Sequence, residues 1–281
     1  MSESGAVFVK IRFLLPTLPK AERHFAEYIL ETPKKIVGLT LAEVTRDSQC
    51  SESSIIRLAH RIGFSGFTEL KKHIEMSLEN GNVDEELDLS KCDSIKQIIS
   101  MVFKYNMRTL SDTLALANQE YDRAVDALIN AKSIHFFGTG DAGLVGELAH
   151  MKFLRLGIPG SAYNDANLQV TAASTLQPSD VAIAITHSGR TKTTVDALQL
   201  SRESGATTIC ITNMDKSPAT KHADIKLFTA TTDITIGSEF VSRRIAEQAI
   251  IEALYLSFLK KSPKDYTKII ERTFSAFDRL K

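Results

Sequence analysis

The run Val181-Ala182-Ile183-Ala184-Ile185, apolar at every position and leading into Thr186, narrows most sharply what this chain can fold into. A strand with one wet face alternates apolar and polar residues; one that does not alternate needs cover on both faces. Two comparable runs accompany it, Ile134-His135-Phe136-Phe137 entering Gly138 and Thr208-Ile209-Cys210-Ile211 entering Thr212-Asn213. Each is short, β-rich and followed by a polar turn and a helical segment. This alternation, beginning at Ser133, predicts a three-layer α/β/α sandwich around a central parallel sheet, with any ligand at the carboxyl ends of the strands.

Upstream the period is helical only. Leu18, Ala21, Phe25, Tyr28 and Ile29 recur at helical spacing, and Pro33 is expected to close that helix. Thr40 and Glu43 form a Thr-x-x-Glu capping box opening the next. Ser51 caps a third, with Ile55, Leu58, Ala59 and Ile62 on its apolar face, and Phe64, Phe67, Leu70 and Ile74 mark a further short helix. Gly81-Asn82-Val83-Asp84-Glu85-Glu86 is polar, acidic and without an apolar period, so it reads as a linker, and a helical segment follows from about Ser94 to Leu116. The expected organisation is an all-α domain over 1–80, a linker and connecting helix over 81–105, and the α/β domain over 106–281.

The 34 Lys and Arg balance 34 Asp and Glu, so nothing in the whole-chain charge argues for a polyanionic partner and any basic surface is local. The three cysteines, Cys50, Cys92 and Cys210, are far apart and suit neither a zinc site nor a disulfide framework. No metal and no cofactor are expected. Arg12, Lys20 and Arg23 interrupt the apolar residues near Met1, and no apolar run is long enough to span a bilayer. The expectation is a reduced, cytoplasmic compartment without membrane contact.

Thr40 to Arg61 has the layout of a helix-turn-helix: a first helix over about Thr40–Asp47, a turn at Ser48-Gln49-Cys50, and a second helix from Ser51. With the apolar stripe turned inward, Ser53, Ser54, Arg57, His60 and Arg61 are expected to face out. Such a recognition helix carries its base contacts near its N-terminus, where Ser51 also lies, and arginine pairs with guanine while serine reaches bases or phosphates. Lys71 and Lys72 are candidates to clamp phosphates. Between Ser51 and His73 the four Lys/Arg exceed the two Glu by two, a modest surplus that calls for a dimer. A plain helical hairpin with solvated charges has the same spacing.

Ala21-Glu22-Arg23, Tyr28-Ile29-Leu30, Leu41-Ala42-Glu43, Ser51-Glu52-Ser53-Ser54-Ile55-Ile56-Arg57 and Gly63-Phe64-Ser65-Gly66-Phe67 with Leu70-Lys71 together resemble the RpiR family of bacterial regulators. The resemblance covers nearly the whole chain, because that family carries a sugar isomerase (SIS) domain behind its helix-turn-helix. It implies a DNA-binding regulator, dimeric or tetrameric, acting on a double-stranded operator.

Two loops at strand ends carry the chemistry of the second domain. Gly138-Thr139-Gly140-Asp141-Ala142-Gly143 joins a strand to a helix, where glycines permit close backbone approach and the helix N-terminus favours an anion. The Gly-x-Gly-x-x-Gly spacing also fits a dinucleotide loop, but no acidic residue ends a clear strand about 20 residues on. Thr186-His187-Ser188-Gly189-Arg190-Thr191 gathers three hydroxyls and backbone amides at one strand end, a neutral cradle for phosphate. An ordinary N-cap accounts for one of those hydroxyls. This second loop looks like the SIS phosphate loop, Ser-x-Ser-Gly-x-Thr, so Thr186, Ser188, Gly189 and Thr191 are implied to hold the phosphate of a phosphorylated sugar. Gly138, Thr139, Gly140 and Asp141 form the facing loop, which departs from the family's Gly-x-Gly-x-Ser in having Ala142 where a serine is usual. By the same resemblance Asp165, near Asn167, lies at the ligand edge, and Glu239 reaches the sugar from a neighbouring subunit. A surface turn explains Asp165 and Asn167 equally well, and a structural ion pair explains Arg244.

An isomerase needs a general base beside the sugar carbons. His187 lies within the phosphate loop; His150 and Glu147 fall on the helix after the first loop; Glu239 is the remaining candidate. A sensor needs only a site coupled to DNA. The reading is therefore a non-enzymatic DNA-binding transcriptional regulator controlled by a phosphorylated sugar; the alternative is a SIS-type sugar-phosphate isomerase with an accessory helical domain.

Overall fold

The structure, a computed structural model, describes residues 6–79, 92–231, 234–236, 239–241 and 243–280. The chain divides into two compact units, Met1–Leu116 and Ala117–Lys281. The expected linker Gly81–Glu86 lies outside the described residues. The expected boundary after residue 105 falls inside a continuous helix of the first unit.

The first unit is helical: α1 (Ala6–Leu14), α2 (Lys20–Glu31), α3 (Pro33–Val37), α4 (Leu41–Ser48), α5 (Glu52–Arg61), α6 (Phe67–Glu79) and α7 (Ile95–Ala115). Its core closes around Phe25, Ile29, Ile36, Val44, Ile55, Leu58, Leu70 and Ile74. Pro33 does more than end α2. It opens α3 at the position where a missing N–H costs nothing, and Thr32 before it takes the non-helical φ of −129° that a following proline favours. The buried stripe of α2 is Glu22, Phe25, Ala26 and Ile29, Leu18 is buried just before the helix begins, and Ala21 faces out. Thr40 and Glu43 form the expected capping box on α4, and Gln49, left-handed at φ 56°, ends it. Ser94 and Gln97 cap α7 in the same way. That helix buries Tyr105, Thr109 and Thr113 and leaves Ile95, Ile99, Phe103 and Met107 exposed.

The second unit runs α8 (Glu120–Asn130), β1 (Ser133–Phe137), α9 (Asp141–Leu154), β2 (Gly160–Tyr163), α10 (Ala166–Ala173), β3 (Asp180–Ile185), α11 (Lys192–Glu203), β4 (Thr207–Thr212), α12 (Pro218–His222), β5 (Ile225–Phe228), β6 (Ile234–Ile236), β7 (Glu239–Val241), α13 (Arg243–Lys261) and α14 (Thr267–Ser275). The main sheet is parallel in the order β2-β1-β3-β4-β5. β3 is buried at every position, as its unbroken apolar run requires.

Successive side chains alternate between sheet faces, and their sizes sort the layers. Val181, Ile183, Ile185, Ile209 and Ile211 fill one face with residues of α8, α9 and α13, such as Leu128, Phe153 and Leu254. The small Ala182 and Ala184 face Ala197 and Leu198 of α11 on the other, which lets that helix approach closely. The result is the three-layer sandwich. The short antiparallel pair β6–β7 had no expectation attached to it. The three cysteines are unpaired, and burial pushes the Cys210 thiol up to about 12. Among the described residues no helix is long and apolar enough to cross a membrane.

Candidate functional site

The helix-turn-helix forms where expected. Ser51 caps α5, its Oγ accepting from the Ser54 amide, and sits 3.1 Å from Ser53 Oγ and 2.9 Å from Ser54 Oγ. Ser51, Ser53, Arg57, His60 and Arg61 are exposed; Ser54 is not, with 2% of its surface accessible. Ser54 is thus a correction: beside Ile55 and one turn before Leu58 it falls within the inward arc, where its hydroxyl joins the cap. Arg57 donates from Nη2 to Ser54 Oγ at 2.9 Å, and its Nε lies 3.5 Å from Glu22 Oε1. Arg61 donates from Nε to Glu22 Oε2 at 2.7 Å. His60 Nε2 is 3.0 Å from the Ser65 carbonyl. Lys71, half-buried, donates to the Leu39 carbonyl, whereas Lys72 is exposed. Glu22 took no part in the sequence-based site, although its place in the apolar stripe between Leu18 and Phe25 marked it as an acid needing a buried partner.

The second site is a cleft of about 240 Å³ at the carboxyl ends of β1 and β3, lined by Thr139, Asp141, Ala142, Ile185, Thr186, His187, Ser188, Thr191 and Arg244. From β1 the chain turns through α9 to β2 on one side, and from β3 through α11 to β4 on the other. Adjacent strands whose crossovers diverge leave a crevice, the usual ligand position in such sheets.

The two loops are held from different directions. Thr186 Oγ1 donates to Thr191 Oγ1 at 3.2 Å, and Ser188 Oγ accepts from the Arg190 amide. Thr139 Oγ1 lies 3.3 Å from Thr193 Oγ1, so a hydroxyl on α11 joins the two loops. The Gly140 amide donates to Asn164 Oδ1, and buried Gln169 donates to the Gly138 carbonyl and to Thr139 Oγ1. A Cβ at Gly143 would lie 2.6 Å from the Asn164 carboxamide carbon. The third glycine of Gly-x-Gly-x-x-Gly therefore admits Asn164 here. Thr193, Asn164 and Gln169 were missed from the sequence; polar residues whose partners lie on other elements leave no local signature.

Other candidates fall differently. His187 is buried, its carbonyl accepting from the Asn213 amide and Thr212 Oγ1 and its Nδ1 lying 3.5 Å from Thr231 Oγ1. Asp165 is not a lining residue; it caps α10 by accepting from the amides of Asn167 and Leu168. Glu147 and His150 lie on α9 away from the lining, and Glu239 opens β7 with its side chain outside the described residues. Arg244 combines two roles, lining the cleft while donating from Nη1 to fully buried Glu247 at 2.6 Å. Among the described residues no group of three or more His, Cys, Asp or Glu is placed to hold a metal ion.

A capped helix-turn-helix in one unit and a parallel α/β sandwich with a hydroxyl-rich crevice in the other define a two-unit helix-turn-helix protein with a SIS-type domain. Residues 6–81 match the model of the helix-turn-helix domain, rpiR family, and residues 127–257 that of the SIS domain. The chain is 35% identical over 268 residues, 95% of both chains, to an uncharacterised HTH-type transcriptional regulator of Caldanaerobacter subterraneus. It is 30% identical to the HTH-type transcriptional regulator HexR of Escherichia coli, covering 95% of this chain and 92% of that one. The fold is also that of the NanR protein of Vibrio vulnificus, solved in complex with ManNAc-6P, with a TM-score of 0.62 and 21% identity over 98% of this chain and 99% of that one. This protein belongs to the RpiR family of helix-turn-helix transcriptional regulators.

Proposed function

We propose that this protein is a cytoplasmic transcriptional regulator that binds a double-stranded DNA operator through α5 as a homodimer or homotetramer, and whose operator affinity is set by a phosphorylated sugar in the cleft between the β1 and β3 loops. The observation that carries the effector is the convergence of Thr186, Ser188 and Thr191 with Arg244 around one crevice at a helix N-terminus. Neutral donors, a helix dipole and a single anchored guanidinium suit a phosphate group. Thr139 and Asp141 on the facing loop suit sugar hydroxyls.

Self-association is supported by α7, where Ile95, Ile99, Phe103 and Met107 recur every fourth residue on an exposed face. A second copy covering that face would remove the apolar surface from water and bring a second helix-turn-helix to an adjacent half-site. A regulator needs no base in the cleft, and the buried His187, engaged with Thr231, fits a binding role better than proton transfer.

The test pairs calorimetry over a panel of phosphorylated sugars with operator titrations in their presence. One or more sugars should bind and shift operator affinity, and Ser188→Ala with Thr191→Ala should abolish both effects while leaving ligand-free DNA binding intact. Unchanged ligand affinity in the double variant overturns the cleft assignment. Interconversion of aldose and ketose phosphates at about 1 per second or faster overturns the regulator-only reading.

A further inference from the structure

A carboxylate removed from water is retained only when it is paired and hydrogen-bonded. Glu22, with 3% of its surface accessible, is such a group, set in the apolar stripe of α2. Both of its partners stand on the recognition helix. Oε2 accepts from Arg61 Nε at 2.7 Å; Oε1 lies 3.5 Å from Arg61 Nη2 and 3.5 Å from Arg57 Nε. We propose that Glu22 is a positioning residue for DNA reading: it fixes Arg57 in the orientation that addresses a base and withdraws Arg61 from DNA. The proposal rests on α5 being the DNA-reading helix.

The hydrogen-bond inventory separates the two arginines. Arg57 has its Nε toward Glu22 and one Nη2 hydrogen on Ser54 Oγ, so the guanidinium is held on one edge. Each terminal nitrogen carries two hydrogens. The end of the fork therefore still presents a hydrogen from both Nη1 and Nη2, the pair that guanine accepts side by side, and the side chain remains 56% exposed. Arg61 turns its Nε–Nη2 edge onto the carboxylate and is the shorter, better-aligned of the two pairs. It pins α5 to α2.

The charge count has a consequence for selectivity. Two arginines and one carboxylate leave a net charge of one at this point of the helix, which limits the sequence-independent attraction to phosphates. The oriented fork keeps its power to discriminate bases. A residue that merely glued α2 to α5 would lower all DNA affinities together; one that orients Arg57 changes the ratio between them.

The experiment measures the affinity of the full-length chain for a tight-binding duplex selected from a random pool and for a scrambled duplex, over a range of salt. Glu22→Gln should lower the ratio of the two affinities by about tenfold and steepen the salt dependence by roughly one counterion, because Arg61 is released toward phosphate. In an Arg57→Ala background the same substitution should leave the ratio unchanged. Arg61→Gln should lower the melting temperature of the helical unit and leave the salt slope as it is. Ser54→Ala, which removes the other restraint on Arg57 without emptying a buried charge site, should reproduce the loss of discrimination even if Glu22→Gln does not fold. The idea is overturned if Glu22→Gln or Ser54→Ala scales both affinities equally, if the loss persists without Arg57, or if Arg61→Gln flattens the salt slope. A wild-type chain that binds neither duplex refutes the DNA-binding reading itself, which is a separate failure.

Discussion

Replacing Gly189 by alanine should damage the Thr186–Thr191 loop by an amount set by its packing. Gly189 stands at φ +62°, where a Cβ costs about 1–2 kcal/mol. That Cβ would lie 2.5 Å from Ser217 Cβ, closer still to its Oγ, and 3.2 Å from Thr212 Oγ1. Ser217 is not able to yield cheaply: it is buried and caps α12, its Oγ accepting from the Thr220 amide. Nor does the backbone have room to move, because the Gly189 carbonyl accepts from the Ala219 amide. Overpacking of this kind costs about 1–3 kcal/mol, giving a total of roughly 2–5 kcal/mol. For a unit of this size that lowers the melting temperature by roughly 4–20 °C, at about 2–4 °C per kcal/mol.

Two units need not melt together, so differential scanning calorimetry of the full chain should follow the transition assigned to the α/β unit. Gly157→Ala is the control: its φ is +72° but nothing lies within 4 Å of an added Cβ. It should show the backbone cost alone, a fall of a few degrees. If Gly189→Ala melts no lower than Gly157→Ala, the loop is not packed against the α12 cap and the magnitude argument is wrong.

Two further outcomes follow from the same geometry. Ala142→Ser should tighten or broaden phosphorylated-sugar binding by supplying one more donor to the cleft that Ala142 lines, worth about 0.5–1.5 kcal/mol net; unchanged or weaker binding across a ligand panel would mean the first loop does not face the phosphate. Burial, partly opposed by Asp180, lowers the pKa of His135 from the ordinary 6.5, so below about pH 6.5 the unfolded chain binds the proton more readily. Stability of the α/β unit should therefore fall as pH drops from 6.5 through the folded-state pKa, and His135→Gln should flatten that slope; an equally steep slope in the variant contradicts the assignment.

The sheet was legible in proportion to how completely each strand is buried. β3 announces itself because no position of it touches water, whereas β2, Gly160-Ser161-Ala162-Tyr163 at the sheet edge, has no fully buried residue and little apolar pattern. The hydroxyls of Thr186, Ser188 and Thr191 could be read from sequence because they are contiguous and sit where an apolar run stops. The residues that shape the facing loop could not. Asn164 reaches Gly140 across 24 positions and Gln169 reaches Gly138 across 31, and a polar side chain serving a distant backbone group looks like any surface residue until the fold is known. Asp165 shows the converse: its acid suggested a sugar contact, and its Oδ1 also serves as the N-cap of α10, a role the sequence had not assigned to it.

Periodicity likewise indicated the inward direction of α5 but not the width of its buried arc. Taking only Ile55, Leu58, Ala59 and Ile62 as inward left Ser54 outside, yet position 54 lies 100° from 55 and a short serine can sink into the cap where a longer residue would project. Charge was harder still. Arg57 and Arg61 were counted as two free cations because their counter-ion is 39 residues from Arg61 in sequence and buried in the core of another helix. Lys71, also counted, is half-buried on the Leu39 carbonyl. Of the four cations that suggested a modest basic excess, three are engaged within the fold. These four residues therefore offer phosphates little unspent charge, and since sequence-independent affinity scales with the phosphates neutralised, the proposed operator binding is expected to depend on two copies acting on the same duplex.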